Sequence, residues 1–86
     1  PKEFSSRFFR GLIREQSKQL RLAISDFDAC IEAEPKFWGG YYYRALCYQQ
    51  LGERQQALKD LRAALRFAER DQDKKQIQQA LQQILK

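Results

Sequence analysis

Residues 41–68, YYYRALCYQQLGERQQALKDLRAALRFA, decide the fold of this chain. Apolar residues recur there at spacings of three and four on both sides of Gly52, which is the pattern of amphipathic helices. Glycine often ends a helix because it adopts the left-handed backbone at no steric cost. The stretch therefore predicts two helices, Tyr41–Leu51 and about Arg54–Ala68, joined by a turn at Gly52.

The flanking sequence predicts three further helices with the same periodicity. The first runs from Phe4 to about Lys18, and the second from Leu20 to Glu34. Pro35 ends the second, because proline lacks an amide hydrogen and disfavours helical geometry in the residue before it. After a polar turn at residues 69–73, the fifth helix covers Lys74 to Leu85. The chain thus predicts two helix pairs followed by a single helix.

The composition agrees with a helical domain. The 86 residues have room for one domain, include no Val or Thr, and include twelve Gln among many Ala, Leu, Arg and Lys. These are good helix formers, whereas the residues that favour pleated sheets are nearly missing. We therefore expect a single all-α domain over residues 1–86.

The same composition argues against an enzyme. There is no His, the commonest general base and metal ligand in proteins. Two cysteines alone cannot complete a structural zinc site, and no glycine-rich phosphate loop or nucleophile beside a base is present. We expect no catalysis, no cofactor and no metal. A transmembrane segment is not expected either, since the longest apolar run is only a few residues.

The two cysteines, Cys30 and Cys47, each fall among apolar residues of a helical pattern. Free buried thiols are therefore expected rather than a disulfide. Free cysteines in such a chain are typical of a reducing compartment, so an intracellular, cytoplasmic location is expected.

An internal repeat of 34 residues relates the two helix pairs. The shift superposes Arg10 on Arg44 and Asp26 on Asp60. It also places Phe8-Phe9 on Tyr42-Tyr43. The repeated arginine suggests a pairing with an acid on the neighbouring helix, and the repeated aspartates are expected at the surface or in turns.

This pattern resembles the tetratricopeptide repeat. In the second copy the family's packing positions correspond to Tyr41, Ala45, Tyr48, Gly52, Ala57, Leu61 and Ala64, and in the first to Gly11, Ala23, Phe27 and Pro35. Arg7 and Arg14 depart from the family, which prefers aromatics there, and Lys18 stands where it prefers glycine. The resemblance implies a right-handed α-solenoid. Its parts would be repeat one at about 4–37, repeat two at about 38–71 and a capping helix at about 72–86.

The resemblance also implies a binding face, because the first helix of each pair would line a concave surface. We call this predicted surface the aromatic groove, and expect it to take up a peptide or a helix of another protein. Its residues would be Phe8, Phe9, Leu12, Gln16, Tyr42, Tyr43, Leu46, Gln49 and Gln50. The carboxylate-clamp positions that hold chaperone tails in the family would fall on Phe8, Leu12, Tyr43, Asp73 and Ile77, which cannot make those charged contacts. Chaperone tails are therefore not expected as ligands.

Three alternatives stay open beside this interpretation. Phe8, Phe9 and Leu12 could be core that is covered by the fifth helix, by another subunit or by segments outside this chain. The exposed aromatic face could also join two copies as a homodimer. Alternatively, Arg7, Arg10, Arg14 and Lys18, which we call the basic stripe, could bind an anionic surface, since the net charge is +5. Nucleic acid is not expected, because acidic residues on the second helix dilute the charge. A solvated helix face is the plainer explanation of the stripe.

Overall fold

Five α-helices make up the part of the chain that the computed structural model describes, which is residues 2–86, with side chains from residue 4 onward. They are α1 (Lys2–Gln16), α2 (Leu20–Ala33), α3 (Trp38–Gln50), α4 (Arg54–Phe67) and α5 (Asp71–Leu85). No strand occurs within these residues. The all-α prediction is confirmed, whereas the right-handed solenoid arrangement stays a prediction. Helices that are neighbours in the chain pack against each other, most extensively α1 with α2 and α3 with α4, and α3 also reaches α1.

Several helix ends differ from the predicted ones. α1 stops at Gln16 because Lys18 has a left-handed backbone (φ 64°). α3 begins three residues early, so Gly40 lies inside it, where an added Cβ would approach the Ile31 side chain to 3.0 Å. α5 also begins three residues early, because Asp71 and Asp73 favour the positive end of its dipole.

The core consists of two clusters that meet at α3. In the first, Phe27 and Ala23 of α2 are completely buried together with Cys47 of α3. In the second, Leu61 of α4 and Ile77 of α5 are completely buried. α3 therefore carries core residues of both clusters.

Small residues allow the first helix pair to approach closely. A Cβ at Gly11 would lie 2.7 Å from an edge carbon of the Phe27 ring, so only glycine leaves room for that ring. Gly11 thus marks a close crossing of α1 and α2.

Candidate functional site

The residues of the aromatic groove fall into separate groups in the structure. Phe8, Leu12 and Tyr43 are half-buried between α1 and α3. The Phe8 ring meets Tyr43 edge-on at 5.7 Å and Phe27 at 6.0 Å between centroids. Burial also raises the pKa of the Tyr43 hydroxyl above its usual value. These three side chains join the first core cluster to the α1–α3 surface, and much of their area is used in packing.

A second group faces α5. Tyr42, Leu46 and Gln49 of α3 line an open depression of about 360 Å³, whose opposite wall comes from α5. We call this surface the glutamine groove. Its α5 residues are Gln76, Gln79, Ala80 and Gln83. Sequence analysis missed these four, and the signal that could have found them is their spacing of three and four along one face of α5.

A third group ties the ends of α1 and α3 together. The Gln50 amide donates to Glu15 Oε2 at 2.6 Å, and the Lys18 ammonium donates to Gln50 Oε1 at 2.7 Å. Gln16 is exposed beside this network, and Phe9 is 61% exposed. Gln50 is thus occupied by contacts within the chain, whereas Phe9 is open to solvent.

Half of the basic stripe is engaged by a buried carboxylate. Arg10 donates to Asp26 from Nε and Nη2, the shortest contact being 2.7 Å, and Arg14 donates to the same carboxylate at 3.1 Å. This pairing raises the pKa of Arg10 above its usual value, through hydrogen bonding first and charge second. Because two of its four cations share one acid, the stripe is a weaker candidate for anion binding than its sequence suggested. Arg7 and Lys18 remain exposed.

The second helix pair repeats this arrangement. Arg44 donates to both oxygens of Asp60 at 2.8 and 2.7 Å, and its Nη1 donates to Asp28 of α2 at 2.8 Å. These bonds raise the pKa of Arg44. The predicted pairing of Arg10 and Arg44 with acids on neighbouring helices is confirmed. The expectation that Asp26 and Asp60 lie at the surface was wrong, since they are only 1% and 4% exposed, because each is enclosed by its arginine partners.

A basic surface that the sequence did not single out lies on α4. Lys59, Arg62 and Arg66 are exposed and line an open depression of about 510 Å³. Across residues 4–86 the ion pairs of the structure involve none of these three. They are spaced by three and four, so they share one helix face. We call it the α4 basic face.

Both cysteines are buried and free, as predicted. Burial raises the pKa of Cys30 to about 11 and that of Cys47 to about 12, so both are thiols near neutral pH. The described residues contain no group of three or more His, Cys, Asp or Glu placed to hold a metal ion. No helix among them combines the length and the apolar character needed to cross a membrane.

Comparison with known proteins corrects the family suggested by the repeat. A search among curated proteins finds no match. Among protein families, the model of Regulator of microtubule dynamics protein 1-3 matches residues 4–86, and the assignment to the tetratricopeptide repeat family was therefore wrong. Small residues are needed wherever two helices pack closely, so their recurrence in two helix pairs does not by itself distinguish families. Because the match covers nearly the whole chain, the chain belongs to the Regulator of microtubule dynamics protein 1-3 family.

Proposed function

We propose that this chain is a non-enzymatic protein-interaction module that acts in the regulation of microtubule dynamics and binds a peptide or helix of another protein in the glutamine groove. The family match supports the biological setting. The proposed binding site rests on the groove itself. Tyr42 and Leu46 form one side of this open depression, and a row of glutamines lies opposite them.

The chemistry of the groove favours a neutral ligand. Leu46 and Ala80 offer apolar contact, and Tyr42 adds an aromatic edge. Each glutamine amide both donates and accepts hydrogen bonds, so the row can pair with the backbone of a bound segment. The described lining contains no charged side chain. We therefore infer a partner segment with an apolar anchor and free backbone polar groups.

The experiment compares two double variants on the same helix. Gln79→Lys with Gln83→Lys adds charge to the groove, whereas Gln78→Lys with Gln82→Lys adds the same charge to exposed positions outside its lining. Microtubule growth and shortening are followed by time-lapse microscopy in cell extract supplemented with each chain. We expect the wild-type chain and the outer-face variant to change these rates and the groove variant to have no effect. Equal effects of the two variants would rule out the groove.

The α4 basic face supports a second candidate function, binding of an acidic protein surface. Such binding depends on charge, so it weakens steeply as salt is added, whereas binding in a neutral groove changes little. The probe is a fluorescent polyglutamate peptide, titrated at low and physiological salt. Neutralising Lys59, Arg62 and Arg66 to Gln should abolish binding. A control of equal net charge replaces Lys36, Lys75 and Lys86 by Gln. If this control weakens binding equally, only net charge matters and the α4 basic face is not a site.

A further inference from the structure

The contact between the two helix pairs shows which residues of α3 pack on α2. The Tyr43 ring stacks on Phe27 of α2 with centroids 6.1 Å apart. Arg44 donates to Asp28 of α2 at 2.8 Å. Cys47 is completely buried in the core cluster that includes Phe27. An aromatic residue, an arginine and an apolar residue on α3 thus meet an apolar helix face that carries a carboxylate.

The same three positions on α1 are open. Subtracting the repeat of 34 residues from Tyr43, Arg44 and Cys47 gives Phe9, Arg10 and Ile13. We call these three residues the α1 edge. Phe9 and Ile13 are 61% and 64% exposed, which makes them the most exposed large apolar side chains in the described part of the chain.

Arg44 and Arg10 differ in the same way, in their partners and in their exposure. Arg44 pairs with two carboxylates, and its side chain is 21% exposed. Arg10 pairs with Asp26 alone among the described residues, and its side chain is 52% exposed. The α1 edge therefore has the residues of a helix-docking surface and an arginine with spare donors for one more carboxylate.

We propose that the α1 edge binds an amphipathic helix of a partner protein, and that this helix carries an Asp or Glu beside apolar residues in the pattern of α2. Phe9 and Ile13 would pack on the apolar face of the partner, as Tyr43 and Cys47 pack on α2. Arg10 would pair with the carboxylate, as Arg44 does with Asp28. This site uses residues outside the glutamine groove and does not depend on the proposed function.

A second copy of the chain lacks the required surface. On α4 the position equivalent to Asp28 is Arg62, which would face Arg10 with like charge. The equivalents of Phe27 and Ile31 on α4 are Leu61 and Leu65, and these pack in the core cluster that α5 shares. A symmetric contact between two α1 edges would bring Arg10 close to its own copy. Charge therefore favours an acidic partner helix over self-association.

The test uses a helix that has the required pattern, which is α2 itself. The probe is a fluorescent peptide of residues 20–34 with Cys30→Ala. A side-chain lactam between positions 21 and 25, both exposed on α2, keeps it helical, because so short a peptide is only marginally helical in water. Anisotropy is measured against the 86-residue chain. We expect saturable binding, and loss of it when the peptide carries Asp28→Lys.

Variants of the chain assign the binding to the α1 edge. Phe9→Gln with Ile13→Gln should weaken binding about tenfold or more, since two apolar side chains lose their burial. Both positions are exposed, so the fold is retained. Leu85→Gln, at another exposed leucine (56%), is the matched control and should bind like the wild type.

Three results would overturn the proposal: no binding of the peptide at millimolar chain, unchanged binding by the Phe9/Ile13 variant, or equal loss with Leu85→Gln. If the peptide only replaced α2 in the core, its binding would not depend on Phe9 and Ile13, and the Phe9/Ile13 variant would reveal this by unchanged binding. The variant Gln79→Lys with Gln83→Lys should bind the peptide normally, so failure of the glutamine groove and failure of the α1 edge give different results.

Discussion

Replacing Arg44 by Leu should destabilise this chain far more than the equivalent replacement of Arg10. Asp60 is 4% exposed, and its carboxylate is held by two charge-assisted hydrogen bonds from Arg44 at 2.7 and 2.8 Å. Removing one member of a buried ion pair leaves the other charge uncompensated, which costs about 3–5 kcal/mol. Because the Arg44 side chain is 21% exposed, we expect a loss of about 3 kcal/mol. In a domain of this size the melting temperature would fall by about 12–24 °C.

In the first helix pair, a second arginine also pairs with the buried aspartate. When Arg10 is replaced by Leu, Asp26 keeps its hydrogen bond from Arg14 at 3.1 Å. The carboxylate is then still paired, and half of the Arg10 side chain was already in solvent. We therefore expect a clearly smaller loss of stability for Arg10→Leu than for Arg44→Leu. Replacing both Arg10 and Arg14 should remove this protection.

The assay is urea unfolding followed by circular dichroism at pH 7, with melting temperatures as a second measure. Arg44→Leu combined with Asp60→Leu should recover most of the loss, because the buried charge is removed with its partner. Asp28→Ala is the mild control, since Asp28 is 55% exposed and such pairs contribute about 0.2–1 kcal/mol. Equal losses for Arg44→Leu and Arg10→Leu, or no recovery in the double variant, would refute this reasoning.

Four further predictions concern the backbone and the thiols. Lys18→Gly should stabilise the chain by about 0.5–1 kcal/mol in urea unfolding, because Lys18 has φ 64° and glycine adopts this backbone without strain. Gly11→Ala should destabilise it by about 1–2 kcal/mol in the same assay, since the new methyl group would overlap the Phe27 ring and the gain in helix propensity is smaller. Iodoacetamide at pH 8 should modify Cys30 and Cys47 only in urea, as mass spectrometry can verify. Because the pKa values of both thiols are raised in the folded chain, their contribution to stability is complete below the unfolded pKa near 8.5 and is lost as the pH rises towards 11 and 12. The urea concentration at the midpoint of unfolding should therefore decrease when the pH is raised from 8 to 10.

Periodicity predicted the helices because it depends on which residues must be buried. Phe27 and Leu61 are completely buried, and the five helices form where the apolar spacing indicated. Gly52 ends α3 with a left-handed backbone (φ 78°), as its residue type implied. These features are local, so the sequence determines them without knowledge of the tertiary structure.

The candidate sites were harder to predict because they depend on which side chains already have partners. Arg10 and Arg14 are cations of the predicted basic stripe, yet both turn to one buried aspartate. Gln50 was expected in the aromatic groove, yet its amide donates a hydrogen bond to Glu15 near the end of α1. Gln79 and Gln83 of α5 were not expected at all, because only the packing of α5 on α4 turns them towards α3. A charge or an amide in the sequence does not tell whether tertiary contacts satisfy it.

The repeated arginine explains how the two helix pairs differ. In the second pair Arg44 connects three helices, since it lies on α3 and bonds Asp60 of α4 and Asp28 of α2. One side chain thus fixes both the geometry within a pair and the contact between pairs. In the first pair Arg10 and Arg14 together hold Asp26. Since Arg14 secures the pair, Arg10 is able to make a second contact without loss of the first. The first pair can therefore stay intact while Arg10 makes the contact that we propose for the α1 edge.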